Sequence, residues 1–191
     1  MNEVEMNKQA KLSPHFTLGE LTKTSYHPLD GNIPSHEAIE NLRRVCGWLE
    51  ILRERYNTRY GDGFSPPKLG GVRGGLSKGQ FEGDQTTPSC GHPSYSGGEV
   101  PIVITSGYRS EEVNRLCGGA KGSNHLTGCA VDIKCLGPEQ MIRYACLLLD
   151  TADENRWVFD ELIQEKRGTT YWIHFAVRPK DNRRKILFDY R

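Results

Sequence analysis

The order of elements along the chain predicts an α+β fold built on a mainly antiparallel sheet. Helical periodicity dominates the first sixty residues. Closely spaced strand candidates occupy the last third, and a four-residue turn joins two of them.

The elements follow in order. Thr17-Leu18-Gly19-Glu20 has the T-x-x-E form of a capping box and opens a short helix. Ser35 caps a longer one, in which Ile39, Leu42, Val45, Leu49, Leu52 and Tyr56 recur every three or four residues as a single apolar stripe. This is a packing helix with no chemistry of its own. Residues 61–98 break the pattern, with eleven of the 21 glycines, four prolines and no periodicity. The stretch reads as an insertion at about 61–99 within one domain of residues 1–191. A loop of that length is expected at the rim of a functional cleft. Val100 to Thr105 is a strand candidate, Ser110 caps a short helix that stops at Gly118-Gly119, and Cys129 to Cys135 is a strand. Pro138 starts a helix running to about Ala152. Phe159 to Glu165 and Tyr171 to Arg178 are strands joined by Lys166-Arg167-Gly168-Thr169, and Ile186 to Phe188 is a last short strand. There is no internal repeat.

Composition narrows the function classes. With 25 lysines and arginines against 24 aspartates and glutamates, a net charge of +1 gives no electrostatic case for nucleic acid or an anionic membrane. No apolar run is long enough to span a bilayer, and none follows the charged N-terminal residues as a cleaved leader would require. The six cysteines have no regular spacing. Cys129 and Cys135, on one strand, stand roughly 20 Å apart at about 3.3 Å per residue, too far to pair. A reduced, cytoplasmic monomer is the expectation, with release as a phage-type lysin a second route.

Two segments carry chemistry. His125 enters the strand that holds Asp132. Alternation puts Ala130, Asp132 and Lys134 on one face, and Val131 and Ile133 on the other. A carboxylate between two apolar residues needs a positive partner, and a metal is one candidate. His174 shares a face with Trp172 and Ala176, opposite the core residues Ile173, Phe175 and Val177. From a neighbouring strand it could meet His125 and Asp132. Two imidazoles and a carboxylate would leave a fourth zinc position for water. Spacing alone leaves a satisfied core histidine as the alternative. Cys90-Gly91-His92 is half a second metal motif without a partner pair.

Ser123 to Asp132 fits S-x-H-x-x-G-x-A-x-D at every fixed position. It resembles the signature of the zinc D-alanyl-D-alanine carboxypeptidases and dipeptidases, whose fold is shared with the hedgehog signalling domain. Thr105-Ser106-Gly107-Tyr108-Arg109-Ser110, with Asn114 and Gly118-Gly119 after it, is similar to that family's S-G-Y-R-S block. Trp172-Ile173-His174 is similar to its third-ligand element, and Phe16 to Leu21 to the opening of its shorter members. The resemblance covers residues 100–178 well and 15–60 weakly, and the Gly-rich stretch has no counterpart.

The resemblance implies a hedgehog/DD-peptidase-like fold with helices packed on one side of the sheet. It assigns zinc to His125, Asp132 and His174, and substrate or oxyanion binding to Arg109 with Ser123 beside it. The implied activity is metal-assisted hydrolysis of peptidoglycan stem peptides, as a carboxypeptidase or a related endopeptidase. The alternative is a non-catalytic zinc module of the same fold. One position departs from the pattern: Tyr171 stands three residues before His174, where many relatives carry an acid. The resemblance to the family's shorter members, in which a glutamate at the end of the preceding strand fills that role, implies Glu165 as the general base, with Glu161 next in line on the same strand.

Overall fold

The computed structural model describes residues 7–61 and 99–190. The Cys90-Gly91-His92 motif and all of the Gly-rich insertion except its two ends lie outside the described residues. Short helix α1 (Leu18–Leu21) opens on the Thr17–Glu20 capping box, and Ser35 caps α2 (His36–Tyr60) by accepting from the Ala38 amide. Then come β1 (Ile104–Ser106), α3 (Glu111–Leu116), β2 (Ala130–Cys135), α4 (Pro138–Asn155), β3 (Glu161–Arg167), β4 (Thr170–Ala176) and β5 (Lys185–Tyr190).

The five strands form one sheet in the order β1-β2-β4-β3-β5. The first three pairings are antiparallel, and β5 runs parallel to β3. The fold is α+β with a mainly antiparallel sheet. Helices α2 and α4 cover one face, where Leu42, Val45, Leu49 and Leu52 of α2 and Tyr144 and Leu148 of α4 meet Val131, Ile133, Leu162, Ile173 and Phe175. Trp48 packs on Phe175 and Phe159 at ring-centroid distances of 5.3 and 6.4 Å. Truncating a ring such as Phe175 to alanine in this core costs about 3–5 kcal/mol.

Several boundaries differ from the sequence expectation, β3 starting at Glu161 rather than Phe159 and β4 ending at Ala176 rather than Arg178 among them. Regular pairing in the first strand begins at Ile104, because Pro101 has no amide to donate, although the Lys134 amide already bonds Val103 O at 2.9 Å. The β3–β4 ladder runs on to Arg167↔Thr170, which shortens the turn to Gly168-Thr169. Gly168 supplies the positive φ of +56° that so tight a reversal needs. The last strand is six residues long rather than three.

Candidate metal centre

The face of the sheet turned away from α2 and α4 is polar. Residue pairing decides what meets there. Asp132 lies directly opposite His174 across β2–β4, and Ile163 lies opposite His174 across β3–β4. Glu161 and Glu165 therefore straddle Ile163 on the same face of β3. Tyr171, Ile173 and Phe175 alternate to the other face, where Tyr171 packs against the core. An acid at position 171 would point away from the site.

His125 is delivered by a 3-10 turn, Asn124–Thr127, capped by the Ser123 hydroxyl, which accepts from the His125 amide at 3.3 Å. The turn closes on Gly128 with φ +71°, where a Cβ would stand 2.4 Å from Ala38 O. Only glycine meets both conditions. The Arg109 amide donates to His125 O at 3.1 Å and ties the turn to the segment after β1.

Three atoms converge. His125 Nε2 is 3.1 Å from His174 Nδ1 and 3.3 Å from Asp132 Oδ1, and His174 Nδ1 is 3.1 Å from the same oxygen. Their surroundings set the tautomers. His125 Nδ1 lies 2.6 Å from Gly107 O, a carbonyl that accepts its proton and leaves Nε2 with a lone pair. His174 Nε2 faces Glu161 Oε2 at 3.5 Å, which likewise leaves Nδ1 as the lone-pair nitrogen. Two imidazole lone pairs and a carboxylate oxygen aimed at one point repel one another unless a cation sits between them. Ligands at 2.0–2.1 Å in tetrahedral array stand about 3.3–3.4 Å apart, close to this triangle. The residues fit a metal ion, and His125, Asp132 and His174 are the group that could hold it.

The electrostatics agree with that reading. Burial alone would raise the Asp132 carboxyl. The charge and hydrogen bonds of His125 and His174 overturn this and hold it far below the ordinary range. Burial likewise opposes charge on His174, yet hydrogen bonds to Asp132 and Glu161 push it up to about 9. Burial lowers His125, outweighing Asp132. A proton on His174 is thus favoured where a metal would otherwise supply the positive charge.

A cleft of about 540 Å³ opens over these groups, with Arg109, Ser123, Glu161, Glu165, Trp172 and Arg183 among its walls. The two glutamates differ. Glu161 is held by the hydrogen bond to His174 and then by Lys185 and Arg183, which bring it down to about 2. Glu165 is raised instead, first by burial and then by the charge of Asp132. The guanidinium of Arg109 is turned onto Asp132 Oδ2, and its Nε donates to Ser106 Oγ at 2.8 Å, a commitment to the Asp132 carboxylate not foreseen in the sequence.

Residues 94–162 match the family model described as Peptidase M15. Over that stretch the chain is similar to that family. The match takes in His125 and Asp132 and stops before His174, which joins them through the strand register. No curated protein matches the chain.

Sequence reasoning missed a supporting network. Asp160 is fully buried and takes two bonds from the Arg183 side chain, at 2.8 and 2.7 Å, and a third from its backbone amide at 3.2 Å, while Asn124 Nδ2 bridges Asp160 and Glu161 at 2.8 and 3.0 Å. Asn124 occupies a variable position of the motif, and Arg183 lies 23 residues from Asp160. Neither spacing signals a contact. Glu161 was visible only as a second choice of base, because its pairing with His174 Nε2 depends on register.

Proposed function

We propose that the chain is a peptidase of the M15 type, a zinc enzyme that hydrolyses peptidoglycan stem peptides as a D-alanyl-D-alanine carboxypeptidase or a related endopeptidase. The observation that carries the reading is the triangle of His125 Nε2, His174 Nδ1 and Asp132 Oδ1 at 3.1–3.3 Å, open to a cleft that also holds Glu165. Zinc held by these three residues would polarise a peptide carbonyl and make an attacking water more acidic.

The chain's own residues do the rest. Glu165, with its carboxyl raised above its ordinary value by burial and the Asp132 charge, accepts the water's proton and returns it to the leaving amine. Tyr171 lies on the helix-covered face of the sheet, packed against the core, and is not placed to act as the base. Glu161 fixes the His174 ring, and Asp160 with Arg183 and Asn124 fixes Glu161. Arg109 holds Asp132 and presents the remaining donors of its fork to the substrate carboxylate or the developing oxyanion. Ser123 caps the turn that carries His125 and adds a hydroxyl to the cleft wall.

The test is digestion of purified peptidoglycan and of synthetic stem peptides by zinc-loaded protein, with new amino termini and free D-alanine assayed separately. Cleavage that stops on chelation and returns with zinc is the expected result. Intact stem peptides after prolonged incubation with fully loaded protein would refute it.

A further inference from the structure

Among the described residues strand β5 is one of the two outer edges of the sheet. Among the described residues it pairs only with β3, in unbroken register from Lys185 to Tyr190. Natural edge strands are usually blunted by a proline, a bulge or several charges. This one has neither proline nor bulge, and it exposes Ile186 (41%), Leu187 (41%), Phe188 (66%) and Tyr190 (56%).

We propose that β5 pairs antiparallel with β5 of a second copy, about a two-fold axis at Leu187, to give a continuous ten-stranded sheet. The order of side chains selects the occupant. In this register Lys185 stands opposite Asp189 of the second copy and Asp189 opposite Lys185. Ile186 and Phe188 face each other twice, and Leu187 meets itself. Opposite charges and β-branched–aromatic pairs are both favourable when directly opposed. Sliding the strands by one or two residues in either direction puts Lys185 or Asp189 against an apolar residue. The segment is therefore complementary to itself in one register. Lys185 reaches Glu161 Oε1 at 3.2 Å with its side chain still 43% exposed, so its ammonium can face both carboxylates.

The pairing also fixes orientation. Lys185, Leu187 and Asp189 lie on the cleft side of the sheet, so a two-fold axis at Leu187 perpendicular to the sheet puts both clefts on the same face. The two β4 strands are then five strand spacings apart, about 24 Å at ~4.8 Å each. Under the proposed function, two clefts on one face would engage a repeating polymer at two points. That consequence rests on the peptidase reading, whereas the pairing does not. A six-residue edge buries less than the ~800 Å² per copy of a standard interface, so the dimer should be weak, with a Kd on the order of 10 µM.

Sedimentation equilibrium of the zinc-loaded protein from about 1 to 200 µM reads the association directly. The expected result is a concentration-dependent dimer that Leu187→Asp abolishes while zinc content, and hence folding, is retained. Register is read by oxidation in a Cys146→Ser background. Leu187→Cys should cross-link to a covalent dimer, because directly opposed residues have Cβ atoms about 4.5–5.5 Å apart. Tyr190→Cys should not, since its two copies would stand about 20 Å apart along the strands. A monomer across the whole range, or equal cross-linking by the two cysteine variants, would overturn the proposal. Neither readout involves peptide hydrolysis, so failure here leaves the peptidase reading standing.

Discussion

The two faces of the sheet are built from the same strands to opposite ends. On β2 and β4, Val131, Ile133, Ile173 and Phe175 are fully buried against α2 and α4, while the alternate residues Asp132 and His174 carry charge and lone pairs into a cleft. The helix face supplies stability, since each large apolar side chain it buries contributes roughly 1.5–3 kcal/mol. The cleft face places buried polar groups that disfavour the fold unless each finds a partner. The apolar face therefore holds the strands in register, and the register decides which polar groups meet.

Changes on either face should separate these roles. The largest effect expected is on metal. His125→Ala, Asp132→Ala and His174→Ala should each fall from about one zinc per chain to almost none, measured by elemental analysis of folded protein. Phe175→Ala, one residue along the same strand, should lose about 3–5 kcal/mol in denaturant unfolding yet keep stoichiometric zinc while folded. Loss of zinc in folded Phe175→Ala would show that the faces are not separable.

Turnover comes next. Glu165→Gln should lower kcat on a cleavable stem peptide by about 10²–10⁴-fold with zinc content unchanged. As the proposed base Glu165 would work only when ionised, and burial with the Asp132 charge raises its pKa. Activity should therefore fall as pH drops through a value above the ordinary carboxylate range. An acid limb at or below the ordinary range would argue for another base.

Glu161→Gln should behave differently from its neighbour two pairs along the strand. It should weaken zinc affinity about 10–100-fold in chelator competition, as expected when a histidine ligand loses its orienting carboxylate. Unchanged affinity would remove Glu161 from that role.

The smallest effect is expected furthest from the metal. Arg183→Ala should cost about 2 kcal/mol, less than a fully buried pair because the Arg183 side chain is half exposed and Arg178 also faces Asp160. Burial would raise the Asp160 carboxyl, but Arg183 and Asn124 lower it overall. The stability it contributes is present above the ordinary carboxylate pKa and lost as pH falls below it. Asp160→Asn should flatten the acid limb of thermal stability.

The comparison also explains how much could be read in advance. Periodicity exposed the α2 stripe and the alternation of β2 and β4, and S-x-H-x-x-G-x-A-x-D singled out His125 and Asp132, which the fold brings together with His174. Tyr171 looked like a missing acid only while position 171 was counted by sequence distance from His174. Three residues along a strand is the opposite face, so its identity does not bear on the base. What stayed hidden depends on pairing between segments: Gly107 O on His125, Asn124 across Asp160 and Glu161, and the parallel docking of β5.

The centre itself is tested most directly by X-ray absorption at the zinc edge on loaded, folded protein. The account predicts a single first shell of nitrogen and oxygen at about 2.0–2.2 Å with the outer-shell scattering of two imidazoles, and no sulfur at about 2.3 Å. Loss of one imidazole contribution in His174→Ala should follow wherever residual zinc can be measured. A sulfur shell, or an unchanged two-imidazole signal in that variant, would contradict a site made of His125, Asp132 and His174.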